Sequence, residues 1–114
     1  MQVLAHHIYE YRKGLRLLVL HTMRAECRET AERKLRANHI HYIIQEVGGR
    51  NINIFFGDEQ CIEVIRTFVS KPLSHLSPEE DFILGTLLGY DKHQQCERYL
   101  KRRNMGSSPQ LHIA

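Results

Sequence analysis

Two segments rich in β-branched and aromatic residues flank a pair of glycines near the middle of the chain. These segments are residues 40–47 and 51–56, and Gly48-Gly49-Arg50 joins them. Because glycine readily adopts the positive φ angles of tight turns, the pattern predicts an antiparallel hairpin. Polar and apolar residues alternate from Asn51 to Phe55, which predicts that one face of the second strand meets solvent.

Three further elements are predicted before the hairpin. Residues 15–22 form a branched apolar run of the length expected for a central buried strand. Residues 24–38 are rich in helix formers, and apolar residues recur every four positions at Cys27, Ala31 and Leu35, which predicts a surface helix. Residues 3–9 alternate weakly and are predicted to form a short extended segment.

Helix-start signals follow the hairpin. Asp58 is a natural N-cap for a helix over residues 58–70. Ser77, with Glu80 at the third helical position, has the pattern of a capping box. Asp91 can cap a last helix that runs to about residue 103. The apolar stripe of that last helix comprises Cys96, Tyr99 and Leu100.

The predicted order of elements is β-β-α-β-β-α-α-α, which belongs to the α+β class. Residues 15–69 match most of a ferredoxin-like plait, so we expect a mainly antiparallel sheet with the helices on one face. Residues 1–103 then form a single domain. The Gly, Ser and Pro content of residues 104–114 predicts a disordered tail.

The incomplete plait predicts a homodimer. Because the last strand of the plait is missing, residues 3–9 either fill the open sheet edge or pair with a second chain. The helix after Ser77 supports the same expectation, because its apolar face is broader than one side of a small sheet requires. That face comprises Phe82, Ile83, Leu84, Leu87 and Leu88.

The cysteines indicate a reducing compartment. Cys27, Cys61 and Cys96 form no CxxC motif, and an odd number cannot all pair within the chain, so we expect reduced thiols and a cytoplasmic protein. The N-terminal residues lack the apolar core of a signal peptide. The longest apolar run, residues 17–20, is far too short to span a membrane.

Eight histidines raise the question of a metal site. His39 and His41 are two residues apart at the start of a predicted strand, so they share one face of it. His21 lies near the end of the preceding strand, and Cys27 lies about one turn into the helix that follows it. Together these side chains are candidate ligands for a divalent metal. Their spacing matches no established metal motif, and the favoured alternative is an exposed sheet edge that carries polar residues.

The sequence contains no recognisable catalytic motif. Neither a G-x-S-x-G elbow nor a dinucleotide or phosphate loop occurs. Cys61 stands beside Ile62 in an amphipathic pattern, which is typical of a packed core thiol. The acids Glu79, Glu80 and Asp81 suit the dipole at a helix start without any catalytic role. We therefore expect no enzymatic activity and no cofactor.

A basic segment near the C-terminus is the clearest charge feature. It contains five basic residues and one acid, a net charge of +4 in a chain whose total is +3. An acidic protein partner fits such a patch. Nucleic acid is not favoured, because it needs a broader basic footprint with interleaved aromatic residues. The predicted partner-binding residues are Lys92, Arg98, Lys101, Arg102 and Arg103.

Several stretches of the sequence carry a family resemblance. They read HHIYEYRKGLR at residues 6–16, LVLHT at 18–22, PEEDFILG at 78–85, LGYD at 88–91 and QQCERY at 94–99. From residue 2 to about residue 103 the chain resembles an uncharacterised family of short anaerobe proteins, a domain of unknown function. The resemblance implies no activity, cofactor or catalytic residue. It implies a loose association with flavodoxin, an acidic redox protein that the basic patch would suit.

Overall fold

The computed structural model describes residues 1–105, and these residues form five α-helices and a three-stranded sheet. The α+β class predicted from the sequence is confirmed. In chain order the elements are α1 (Gln2–Arg12), β1 (Leu18–Arg24), α2 (Arg28–Ala37), β2 (His41–Glu46), β3 (Asn51–Gly57), α3 (Glu59–Arg66), α4 (Pro78–Leu87) and α5 (Lys92–Met105). Short 3-10 turns lie at Ala25–Cys27 and Leu73–His75.

The hairpin of β2 and β3 forms as the glycine pair predicts. Gly48 and Gly49 have φ angles of +83° and +62°, which non-glycine residues rarely adopt. β3 also pairs antiparallel with β1, so the order across the sheet is β1-β3-β2. Leu18 of β1 and His41 of β2 both lie opposite Gly57, one on each side of β3.

The central strand β3 is buried on both faces, so the prediction that one of its faces meets solvent is wrong. Ile54 packs in an apolar core with residues of α1 and α2. Its neighbour Phe55 packs in a second core with residues of α3 and α4. Helices therefore cover both faces of the sheet, and their expected placement on one face is also wrong. The chain has more apolar helical surface than one face of a three-stranded sheet can bury.

The ferredoxin-like plait is not confirmed. The strand order β1-β3-β2, with α2 connecting β1 to β2, agrees with the middle of such a fold. However, α2 and α3 contribute to cores on opposite faces of the sheet. Within residues 1–105, the outer edges of β1 and β2 have no further strand beside them.

Residues 3–9 lie within helix α1, and the extended segment predicted there is wrong. Leu4 and Ile8 are both buried, and their four-residue spacing places them on one face of the helix. Half-buried Tyr11 continues this stripe and meets Phe56 edge-on, with ring centroids 6.4 Å apart. Packing of this stripe on the sheet favours the helix over the weak alternation. The N-terminal segment is therefore unavailable as an edge strand.

β1 begins three residues later than expected and ends two residues later. Leu15 and Leu17 belong to the apolar run that predicted the strand, yet both are largely exposed and precede it. The strand instead continues through polar residues to Arg24, opposite Asn51. The apolar run therefore predicts that a strand is present, but pairing with β3 determines where the strand begins and ends.

The predicted helix starts are confirmed. Asp58 accepts a hydrogen bond from the Gln60 amide at 3.1 Å, and Asp91 accepts one from the Gln94 amide at 2.9 Å. Ser77 forms the complete capping box at the start of α4. α5 runs through Met105, two residues into the predicted tail. The predicted disorder of residues 106–114 lies outside the described part of the chain.

Candidate protein-binding surface

A clamp of ion pairs joins the start of α4 to the second half of α5. Residues 88–91 turn the chain back, so the end of α5 lies beside the first turn of α4. Arg98 donates two hydrogen bonds to the Asp81 carboxylate, with N–O distances of 2.7 and 3.0 Å. Arg102 lies 3.3 Å from the same carboxylate and donates to the Leu76 carbonyl at 2.9 Å.

Glu79 forms the second part of this clamp. Its Oε2 accepts hydrogen bonds from Arg103 at 2.7 Å and from the Tyr99 hydroxyl at 3.1 Å. Hydrogen bonding from Arg103 lowers the pKa of Glu79. Hydrogen bonding from Arg98 likewise lowers the pKa of Asp81. Both carboxylates are therefore ionised at neutral pH, and the clamp holds the two helices in one arrangement.

The apolar stripe predicted for the last helix does not form its main packing surface. Gln95 is the buried residue of α5, and Arg98 and Arg102 bond to the start of α4. Cys96 and Leu100 are exposed instead. Charge complementarity with the acids of α4 outweighs the short apolar stripe in setting how α5 is rotated.

With α5 in this rotation, α4 and α5 enclose an open groove of about 510 Å³ with a mostly apolar lining. Leu100 is 58% exposed and Ile83 is 38% exposed. Phe82 and Tyr99 meet edge-to-face, with ring centroids 5.5 Å apart. The groove is lined by Glu79, Phe82, Ile83, Cys96, Tyr99 and Leu100.

The basic patch predicted from the sequence is divided by the structure. Arg98, Arg102 and Arg103 bond to acids of α4, so much of their charge is compensated inside the chain. Lys92 and Lys101 are exposed and form no ion pair with acids of residues 1–105. The patch is mainly a structural clamp, with two lysines beside it that are not compensated in this way.

The candidate metal ligands do not converge. His21 lies on the face of the sheet that α1 covers, because its neighbour Leu20 packs on the other face. The ring centroids of His21 and His7 are 5.2 Å apart. His41 lies on the opposite face of the sheet, where it is 3.4 Å from Glu59 of α3. His39 is exposed in the connection before β2. Cys27 is half-buried in a 3-10 turn. Among residues 1–105, no three His, Cys, Asp or Glu side chains are grouped to hold a metal ion.

A polar cluster between α1 and β1 was missed by sequence reasoning. His7 lies 3.4 Å from Glu10 and 3.5 Å from Arg16, next to the ring of His21. Burial lowers the pKa of His21, and the nearby His7 and N-terminus lower it further. The contact of His7 with Glu10 could have been predicted only if α1 had been recognised as a helix, because residues three apart lie on one side of a helix.

The three cysteines lie in different surroundings. All three lie in the described residues and are free. Cys61 is buried, as predicted, and burial raises the pKa of its thiol, with Asp58 adding to the effect. A raised pKa disfavours the reactive thiolate. Cys96 is exposed at the groove.

Comparison with known proteins identifies the sequence at the level of a family. A family model described as Protein of unknown function (DUF2023) matches residues 2–102. No curated protein matches the chain significantly. Over the residues that the structure describes, no helix is both long enough and apolar enough to cross a lipid bilayer. The association with flavodoxin and the anaerobic origin implied by the resemblance stay predictions.

Proposed function

Because the chain belongs to the DUF2023 family, whose description names no activity, we propose a function from its surface: it is a small, non-enzymatic interaction or regulatory protein that binds another protein in the groove between α4 and α5. The observation that carries this proposal is the exposed apolar lining of that groove, above all Leu100 and Ile83. Single exposed apolar residues are ordinary, whereas apolar side chains grouped around a concave groove are typical of a binding site.

The clamp supports binding by fixing the shape of the groove. Asp81 and Glu79 together tie α5 to α4 through three arginines. A surface that is ordered before binding loses less conformational entropy when a partner docks. An aromatic pair in the lining, Phe82 and Tyr99, supplies the kind of rigid apolar contact that dominates interface energies.

The charges around the groove support an acidic partner. Lys92 precedes Cys96 by one helical turn and so lies on the same face of α5. Glu79, the acid of the lining, is already paired with Arg103. The net charge available to a partner is therefore positive, which favours an acidic protein and, in view of the resemblance, an acidic redox protein such as a flavodoxin. Three free cysteines fit a reducing cytoplasm as the place of this interaction.

The proposal is tested by affinity capture with a matched pair of variants. Leu100→Glu places a charge in the groove, whereas Val64→Glu places one at an exposed valine of α3, which is 42% exposed. We expect wild type and Val64→Glu to capture the same partner from a native lysate, and Leu100→Glu to lose it. Equal capture by all three proteins contradicts the groove as the binding site.

A direct titration tests the nature of the partner. Purified flavodoxin is titrated into wild type, Leu100→Glu and Val64→Glu by calorimetry. We expect binding to wild type and Val64→Glu, with at least a tenfold loss for Leu100→Glu, as for a central interface residue. Absence of binding to wild type contradicts flavodoxin as the partner and leaves the groove to be judged by the capture experiment.

A further inference from the structure

The outer edge of β2 presents backbone groups that have no partner. The Asp58 amide donates to the Leu17 carbonyl at 2.9 Å. This bond shows which residues of β3 direct their backbone groups towards β1 and which direct them towards β2. Since alternate residues of a strand point their backbone groups to opposite sides, Asn53 and Phe55 of β3 bond towards β2. Their counterparts in β2 therefore bond inwards. The alternate residues of β2, which are Tyr42, Ile44 and Glu46, direct their backbone groups outwards.

This edge lacks several of the usual protections against strand pairing. The register of β2 on β3 is continuous over all six residues, so no bulge interrupts it. The strand contains neither proline nor lysine. Within residues 1–105, no backbone hydrogen bond is made to the outward groups of Tyr42, Ile44 or Glu46. A regular, partly apolar edge of this kind is a template for another strand.

The two ends of the edge carry complementary charges. Arg36 of α2 lies at one end, where its Nη1 donates to the Tyr42 hydroxyl at 2.9 Å. Glu46 lies at the other end, with a side chain that is 80% exposed and 3.7 Å from Arg28, a solvent-exposed pair of the weak kind. Antiparallel pairing of two copies about Ile44 places Glu46 of each copy opposite Tyr42 and beside Arg36 of the other. The strand is thus complementary to itself, as a twofold interface requires.

We propose that a second copy of this chain pairs with the outer edge of β2, with Ile44 opposite Ile44, and that the dimer has one continuous six-stranded sheet. The pairing adds up to about six backbone hydrogen bonds and two charge pairs. The outer edge of β1 does not offer the same match, because residues 18–24 contain no acid to oppose Arg24. This interface replaces the dimer expected through residues 3–9, which are helical. It is separate from the α4–α5 groove.

Light scattering of the full chain over a concentration series tests the proposal with two proline variants. Ile44→Pro removes an amide that points outwards, and Arg24→Pro removes an equivalent outward amide on β1, where the φ angle of −67° already suits proline, so each leaves the sheet bonds of the chain intact. We expect wild type and Arg24→Pro to have about twice the chain mass of 13.4 kDa. Ile44→Pro is expected to be a monomer with an unchanged circular dichroism spectrum.

A charge-swap series covers the case in which Ile44→Pro does not fold. Glu46→Lys is expected to weaken dimerisation at least tenfold, and Arg36→Glu combined with Glu46→Lys is expected to restore it. A wild-type mass of 13.4 kDa at every concentration overturns the proposal, as does a dimer unaffected by Glu46→Lys. Loss of the dimer in Leu100→Glu would instead place the second copy in the groove. Capture of a different protein by monomeric wild type, lost in Ile44→Pro, would make the occupant a foreign strand. Both of these results also overturn the proposal.

Discussion

The side-chain amide of Asn53 donates to Oε1 of Gln45 across two neighbouring strands, with a distance of 2.9 Å. Both residues are buried. The Thr22 hydroxyl donates to Asn53 Oδ1 at 2.6 Å, and Gln45 Nε2 donates to the carbonyls of Val69 and Lys71 at 2.9 and 3.0 Å. A row of polar side chains therefore crosses all three strands and ties the sheet to the segment after α3.

Replacing Gln45 with leucine is expected to destabilise the protein. The substitution leaves the Asn53 amide and two backbone carbonyls without their buried partner, which costs about 1–3 kcal/mol of unfolding free energy. Urea denaturation monitored by circular dichroism measures the loss. Gln60→Leu, at an exposed position of α3, is the matched control and should stay close to wild type. Equal stability of the two variants would show that the polar row contributes nothing.

Gly57→Ala is expected to be among the most damaging single substitutions. The φ angle of Gly57 is +151°, and an added Cβ would lie 2.2 Å from the Leu17 carbonyl oxygen. Backbone strain and steric conflict together cost about 3 kcal/mol or more. Gly48→Ala isolates the strain, because its φ of +83° is also unfavourable but its Cβ would meet nothing within 4 Å. That control should lose only about 1 kcal/mol.

The Asp81 clamp predicts a loss of stability in acid. Hydrogen bonding from Arg98 lowers the pKa of Asp81 in the folded protein. The stabilisation is therefore present above the unfolded pKa of about 3.9 and is lost as the pH falls through the lower folded pKa. Asp81→Asn should lower the unfolding free energy at neutral pH by about 1 kcal/mol, a value that allows for the exposure of Arg98. It should also make the unfolding free energy depend less on pH below about pH 4. Glu63 forms an exposed ion pair with Arg66, and Glu63→Gln is the control that should leave the unfolding free energy close to that of wild type.

His21 predicts a second pH effect, closer to neutrality. Burial lowers the pKa of His21 in the folded protein, so the unfolded chain takes up the proton more readily. Its contribution to stability is complete above the unfolded pKa of about 6.5 and declines as the pH falls below that value. The urea midpoint should therefore be lower at about pH 5.5 than at about pH 7.5, and His21→Gln should reduce this difference.

The His21 measurement has its own control in α5. His93→Gln makes the same substitution at an exposed position, where His93 lies 3.5 Å from Glu97, and is the matched control. His7 of α1 faces His21, the N-terminus also acts on it, and His7 in turn contacts Glu10 and Arg16. A pH profile that His21→Gln does not change would contradict this prediction.

The candidate site could be predicted only in part. The helices that form it were placed correctly, because Ser77 and Asp91 mark their starts by local hydrogen bonds. The arginines were recognised as a cluster, but not as partners of Asp81 and Glu79. Those pairings join residues about twenty positions apart, and no local pattern encodes the rotation of one helix against another.

The sequence by itself determined the α+β class, the hairpin at Gly48-Gly49 and the start of each helix after it. These features depend on φ preferences and capping hydrogen bonds between residues close together in the chain. Only the tertiary structure decided that α1 is a helix, that Asn53 points into a core, and that Leu100 points away from one. Each of these outcomes depends on which surface a segment packs against. Because helices cover both faces of the sheet, residues on either face can be buried.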